Sequence, residues 1–326
     1  MKKITLIGGA GYVGTAITKY FLKKKYKVNC VDNFLYNQND VLYEFLKNKN
    51  FKIINKCMSN LNLDDDILNS DSIIVLAGIV GDPITKKYQE LSKEVNENKT
   101  MKLLQNLKSK YENKVIFVST CSNYGLKSND FISDENSILE PLSFYAKSKV
   151  KIEKFILDHQ EPFKDITILR FATAFGCSER MRFDLTVNEF TKEIFYKNSL
   201  VVYDKDTWRP YCHVIDFARL IEKVIEANKT ITNKEVFNAG SDENHATKKT
   251  IVDKISSKIN PENIEYIDKS VDRRNYKVNF EKVKRMLSFD TEYSIEDGIL
   301  EIIDYLKKFD SRLLKTKKNI FGNYEI

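Results

Sequence analysis

Lys3-Ile-Thr-Leu-Ile7, running into Gly8-Gly-Ala-Gly11-Tyr-Val-Gly14, is the stretch on which the fold of this chain turns. Ile4, Leu6 and Ile7 give the first segment the apolar density of a buried strand. Ala16-Ile-Thr-Lys-Tyr-Phe-Leu22 then reads as a helix, and Lys27-Val-Asn-Cys-Val31 as a second strand ending in Asp32-Asn33. Strand, glycine loop, helix, strand and acidic residue is the order of a dinucleotide-binding βαβ unit. Gly8, Gly11 and Gly14 permit a tight turn, close approach of main chain to a phosphate, and close packing of the helix. Tyr12 and Val13 open that helix, whose amides and positive dipole end suit a pyrophosphate. Asp32 is placed to accept a hydrogen bond from an adenosine ribose, and its charge repels a 2′-phosphate. Asn33-Phe34-Leu35 brings no arginine to offset that charge, so NAD is predicted over NADP. A structural glycine turn and a solvated aspartate are the plainer alternatives, and the βαβ frame argues against both.

Outward from this unit, strands and helices keep alternating. Phe51-Lys-Ile-Ile54 is predicted as a third strand and Ser72-Ile-Ile-Val-Leu76 as a fourth, leading to Ala77-Gly78. Leu76, Ala77 and Gly78 would let a cofactor lie across the strand ends. A helical region follows from about Thr85 to Lys110 and carries Asn96. Lys114-Val-Ile-Phe-Val118 is a fifth strand, continued by Ser119-Thr120-Cys121-Ser122. Hydroxyls there are well placed to touch a ligand. Tyr145 and Lys149 lie four residues apart in the helix Ser143 to Leu157, and so share one face. A phenol ordinarily ionises near pH 10; a neighbouring ammonium, aided by a cationic cofactor, would lower that and make an acid/base group. A solvated face of a lysine-rich helix is the bland alternative. The predicted fold class is α/β, a doubly wound parallel sheet (Rossmann).

After a sixth strand, Asp165-Ile-Thr-Ile-Leu169, the rhythm breaks. A helix over Val187 to Tyr196, a short strand at Val201-Val-Tyr203 and a helix ending near Ala227 are expected, and Val236 to Gly240 reads as a strand returning to the main sheet. The lysine-rich tail from about Asp310 reads as peripheral.

Composition narrows the function classes. The chain has 326 residues, 42% hydrophobic and 30% charged, ordinary for a globular protein with a sizeable core. Its net charge of +7 comes from dispersed lysines. That favours a polyanionic small molecule over nucleic acid, for which no basic and aromatic stripe exists. Five widely spaced cysteines form no C-x-x-C pair and the three histidines no cluster, so neither a metal nor a disulfide framework is predicted. No apolar run reaches membrane-spanning length and no signal-peptide layout is visible, so no membrane partner and a cytoplasmic location are expected.

The glycine loop, Asp32, Thr120 and Tyr145-x-x-x-Lys149, in this order and spacing, resemble the extended short-chain dehydrogenase/reductase family, in its nucleotide-sugar epimerase and dehydratase branch. The resemblance implies that Tyr145 takes the proton of a sugar hydroxyl as hydride leaves its carbon. Lys149 would lower the tyrosine pKa and hold the nicotinamide ribose, Thr120 would bond the reacting oxygen, and Asn96 would lie near the cofactor. It further implies a smaller, discontinuous α/β nucleotide-sugar domain (about 171–211 plus 241–326) beside the cofactor domain (1–170 plus about 212–240). In that smaller part Arg209 would grip the substrate pyrophosphate and Arg274 the nucleotide. Cys121, Ser122, Thr173, Arg182 and Asn188 would complete the substrate contacts, with Thr173 standing where relatives often carry asparagine. For Arg182 and Arg273 a surface ion pair weighs as much as a ligand contact. Lys56-Cys57-Met58-Ser59 lacks the acidic residue that the family often has near the adenine.

A 4,6-dehydratase of this family has a glutamate two positions after the catalytic threonine. Here those positions are Cys121 and Ser122, which argues against dehydration. Oxidation at C4 then leads to 4-epimerisation or 4-dehydrogenation; a 4-reductase or 4,6-dehydratase, or a non-catalytic NAD-binding regulator, is the alternative. The stretches Ala77 to Pro83 and Arg180 to Phe190 resemble a subgroup of bacterial surface-polysaccharide pathways, some of whose members act on GDP-linked heptoses. A homodimer through the helices around 85–110 and 143–157 is also implied.

Overall fold

The structure, a computed structural model, describes residues 1–61, 65–158, 163–268 and 274–326, so Arg273 lies outside the described residues. Seven parallel strands form the main sheet. They are β1 (Lys3–Ile7), β2 (Lys27–Asp32), β3 (Phe51–Asn55), β4 (Ser72–Val75), β5 (Lys114–Thr120), β6 (Ile166–Phe171) and β7 (Glu235–Ala239). Their order is β7-β6-β5-β4-β1-β2-β3. The chain therefore leaves β1 toward one edge and returns at β4 toward the other. The strand ends diverge at that switch point, and open α/β sheets bind ligands there. The inner strands are mainly apolar because helices cover both faces: Ile4, Leu6, Val28, Ile74, Ile116 and Ile168 are wholly buried.

The helix after the glycine loop, Tyr12–Lys23, buries Ala16, Ile17 and Phe21. The helix Phe144–Leu157 begins where the Ser143 hydroxyl accepts from the Ala146 amide at 3.2 Å. The helix expected over 85–110 is broken. It runs Asp82–Lys87, Gln89–Lys93, a wide turn of π geometry at Glu94–Lys99, and Thr100–Lys110. The wide turn has a local cause: Asn96 faces inward and is committed to the chain after β4.

β7 joins the main sheet beside β6, as the sequence predicts. Smaller sheets stand over the strand ends. Trp208–His213 lies between Thr173–Phe175, which is parallel to it, and His245–Thr247, which is antiparallel. Leu200–Tyr203 pairs with Ile264–Ile267. A second apolar cluster around Phe175, Phe183 and Ile299 is the core of this region. The reading of the tail as peripheral is corrected: Phe321 and Asn323 are buried, and the Phe183 amide donates to the Phe321 carbonyl at 2.8 Å. Among the described residues no helix is long and apolar enough to cross a membrane.

Candidate active site

A cavity of about 660 Å³ opens over the ends of β1, β4 and β5. Its floor begins with the glycine loop. Gly8 has φ +90°, and a Cβ there would lie 2.6 Å from the Ala77 nitrogen. A Cβ on Gly14 would strike the Gly8 carbonyl at 2.6 Å, so this residue lets the helix approach the strand. Gly11 differs: a Cβ would meet nothing nearer than 3.4 Å, so its main chain faces open space. No side chain caps the helix that follows, which leaves its first amides to a ligand. Tyr12 and Val13 line the same floor. Asp32 accepts from the Ala10 amide at 3.0 Å, the Phe34 amide at 2.8 Å and Gln38 Nε2 at 3.3 Å, which fixes its carboxylate beside Asn33 on the wall. Burial raises its pKa, and the Phe34 and Ala10 amides, the Arg180 charge and the Asn33 amide do not fully offset this. A floor of open glycine main chain, free helix amides and a fixed carboxylate fits a dinucleotide.

Leu76, Ala77 and Gly78 continue the wall to β5, where Thr120, Tyr145 and Lys149 meet. The Thr120 hydroxyl accepts from the Ser122 amide at 3.1 Å. Lys149 donates to the Val118 carbonyl at 2.7 Å, and its ammonium lies 4.6 Å from the Phe117 ring and 5.7 Å from the Tyr145 ring. One turn on, Glu153 anchors the helix. It accepts from Arg170 Nη2 at 2.7 Å, from Asn123 at 2.8 Å, and from the Ser119 hydroxyl. Burial pushes the Lys149 ammonium down to about 8, with Glu153 pulling the other way. It pushes the Tyr145 phenol up, Arg182 opposing this and Asp82 adding to it. In the protein alone burial dominates both Tyr145 and Lys149, and a cationic cofactor beside the phenol would act in the opposite direction.

The facing wall is cationic. Arg182, Arg209 and Arg274 all reach the cavity, as does Thr173. Arg182 forks onto Asp184, Nε to Oδ1 and Nη2 to Oδ2, both at 2.6 Å. Arg274 pairs with Asp82 at 2.7 Å. Arg209 sits in the central strand of the smaller sheet, its guanidinium 5.8 Å from the Tyr276 ring. Ser122 also lines the cavity, its hydroxyl 3.2 Å from the Tyr276 hydroxyl.

Three expected contacts are corrected, because the residues stand behind the wall. Cys121 is buried with its thiol donating to the Arg170 carbonyl at 3.1 Å. Asn96 accepts from the Ile79 amide at 2.8 Å and donates to the Ile79 carbonyl at 2.9 Å, so it shapes the loop after β4. Asn188 is buried between Tyr12, Gly176 and the Arg182 carbonyl, to which it donates at 3.0 Å. Conversely, Asp82, Arg180, Asp184, Glu189, Asn323 and Tyr324 line the cavity without having been singled out as site residues. Glu189 carries a carboxyl whose pKa burial raises, with Lys192 opposing. Among the described residues there is no cluster of metal-ligating side chains.

Comparison with known proteins agrees with this geometry. The profile described as "NAD dependent epimerase/dehydratase family" matches residues 4–240. The chain is 28% identical to UDP-N-acetyl-alpha-D-glucosaminuronate decarboxylase of Bacillus cytotoxicus, over 95% of this chain and 100% of that protein. It is 26% identical to UDP-glucuronate 4-epimerase of Thermodesulfobacterium geofontis, over 95% and 98%. The crystal structure of UDP-glucuronic acid 4-epimerase from Bacillus cereus in complex with NAD superposes with a TM-score of 0.81 at 25% identity, covering 94% of this chain and 99% of that one.

Proposed function

The chain belongs to the NAD dependent epimerase/dehydratase family, and from that premise we propose that it is a nucleotide-sugar 4-epimerase, oxidising the sugar at C4 and returning the hydrogen to the opposite face. NAD, when bound, supplies the hydride acceptor and a positive charge near the phenol. Tyr145 takes the proton of the C4 hydroxyl and later gives it back. Thr120 holds the reacting oxygen, and Lys149, pinned to the Val118 carbonyl, orients the phenol and the nicotinamide ribose. Arg209 and Arg274 hold the substrate diphosphate and nucleotide, since a guanidinium fork matches phosphate geometry. Arg182, Thr173 and Ser122 face the sugar.

The observation that carries the reading lies after Thr120. Cys121 is turned into the core and Ser122 is bonded to Tyr276, so positions 121 and 122 offer no carboxyl for removing a C5 proton. The facing carboxylates Asp82 and Asp184 are each held by an arginine. Inversion needs only the hydride-transfer set and room for the keto sugar to turn. The same set also supports 4-dehydrogenation, in which the ketone leaves.

Residues 1–170 with about 212–240 form the cofactor-binding unit in this reading, and about 171–211 with 241–326 the substrate-binding unit. Exposed Leu142 and Phe144, at the head of the catalytic helix, support a homodimer through the helices around 85–110 and 143–157. Five unpaired cysteines suit a reducing cytoplasm. The product enters bacterial surface-polysaccharide synthesis, and GDP-linked heptoses belong in the substrate panel beside UDP-linked uronates and hexoses. The test is to incubate the NAD-loaded protein with that panel and follow NADH absorbance and product NMR together. Inversion without net NADH is expected. Accumulating NADH, release of CO2 or loss of water would each overturn epimerisation.

A further inference from the structure

Two arginines of the facing wall have carboxylate partners, Arg182 with Asp184 and Arg274 with Asp82. Arg180 is only 3% exposed, yet among the described residues no carboxylate lies within about 4 Å of its guanidinium, and Asp184 and Asp32 act on it only from farther off. Its Nη2 donates to the Asn319 carbonyl at 3.2 Å and to Asn323 Oδ1 at 2.9 Å, both neutral acceptors. Its guanidinium lies 4.7 Å from the Tyr36 ring centre. Arg180 Nε and the Tyr36 hydroxyl are both buried with no hydrogen-bond partner. Burying a cation on neutral partners with a donor unused is costly, and an anion in the adjoining space would remove the cost.

That space is the dinucleotide end of the cavity. Arg180 and Tyr36 share its wall with Gly11 and Asp32. The Arg180 amide donates to Thr15 Oγ1 at 3.3 Å, and that hydroxyl sits 2.6 Å from Ser178 Oγ. The main chain of 178–180 is thereby tied to the first turn of the glycine-loop helix. On the outer side, Asn323 is held three ways. Its amide donates to Asp184 at 3.2 Å, its Nδ2 to the Val80 carbonyl at 2.8 Å, and its Oδ1 accepts from Arg180. Segment 319–324 therefore bridges the glycine-loop side of the cavity to the loop after β4.

We propose that Arg180 supplies the guanidinium that binds the diphosphate of the dinucleotide, and that segment 319–324 is the strap that holds it there. The proposal rests on NAD as the cofactor and not on which sugar is turned over, so it stands or falls apart from 4-epimerisation. A diphosphate is also present in the substrate, and the experiment separates the two sources.

Binding of NAD, ADP-ribose and adenosine to cofactor-stripped protein is measured by calorimetry for wild type, Arg180→Met, Arg180→Lys and Asn323→Ala. Binding of UDP is measured on the NAD-loaded forms. Arg180→Met should weaken NAD and ADP-ribose alike by about ten- to a hundredfold, the worth of a charge-assisted hydrogen bond, and leave adenosine within about twofold. Arg180→Lys should recover part of that loss. Asn323→Ala should weaken NAD by a smaller factor and speed its release, and it keeps the proposal testable should Arg180→Met fail to fold. Unchanged NAD affinity in all three variants would overturn the proposal. So would an equal loss for adenosine, or a loss confined to UDP, which would move the anion to the substrate side.

Discussion

The two walls of the cavity are built from different materials. The sheet wall is main chain and short side chains at strand ends: Gly8 and Gly11 after β1, Ala77 and Gly78 after β4, Thr120 at the end of β5. Lys149, from the catalytic helix, is bonded to the Val118 carbonyl of the strand that carries Thr120. The facing wall is made of ions on loops and on the rim of smaller sheets, Arg182 with Asp184 and Arg274 with Asp82 among them. Parallel register fixes the first wall to within a hydrogen bond, which chemistry at one atom requires. The second wall holds long side chains in pairs that can be re-sorted around a phosphate. Changes to the sheet wall should therefore abolish turnover, and changes to the facing wall should alter affinity.

The largest effect tests the sheet wall directly. Tyr145→Phe should lower hydride transfer by about 10²- to 10⁴-fold, the range for loss of a general acid/base group, while NAD stays bound. Single-turnover NADH absorbance and a cofactor assay on the same sample read both halves, and near-normal transfer would remove Tyr145 from the mechanism. Lys149→Met should also stop turnover, yet stabilise the cofactor-free fold at neutral pH by up to about 3 kcal/mol, the cost implied by moving the ammonium from its ordinary 10.5 to about 8. The folded lysine releases its proton near 8 and the unfolded one near 10.5, so between these values the unfolded chain binds more protons and wild-type stability rises with pH. The advantage of the variant should shrink across that window in urea unfolding, and a constant gap would contradict a buried ammonium.

On the facing wall, Arg209→Ala should raise KM for the nucleotide sugar about ten- to a hundredfold with little change in kcat. An equal fall in kcat would erase the distinction between the walls. Glu189→Gln should be the mildest, with inversion kept within about fivefold of wild type, below the range of an acid/base loss. If inversion collapsed instead, the facing wall would hold a catalytic carboxyl.

What could be read in the sequence follows the same division. Strand ends and a helix face are local properties, so Gly8, Asp32, Thr120, Tyr145 and Lys149 could be placed from the element pattern together with the family resemblance, and the cavity contains all of them. Arg180, Asn323 and Tyr324 could not, because they reach the cavity by contacts across more than a hundred residues, such as Arg180 with Thr15. Cys121, Asn96 and Asn188 failed in the opposite way. Each sits in a stretch that does line the site, but its own side chain points inward to satisfy buried main-chain groups. The tail misled through its average composition: its lysines lie outside, while Phe321 and Asn323, too few to shift the average, anchor it. The burial of the Tyr145 phenol, which raises its pKa, is likewise not a property of spacing.

The bridge made by residues 319–324 also has a meaning in time. A ribosome completes β1 through β7 and the catalytic helix before it synthesises Asn319, Asn323 and Tyr324. The contribution of Asn323 and Tyr324 to the cavity is therefore synthesised after every strand of the main sheet.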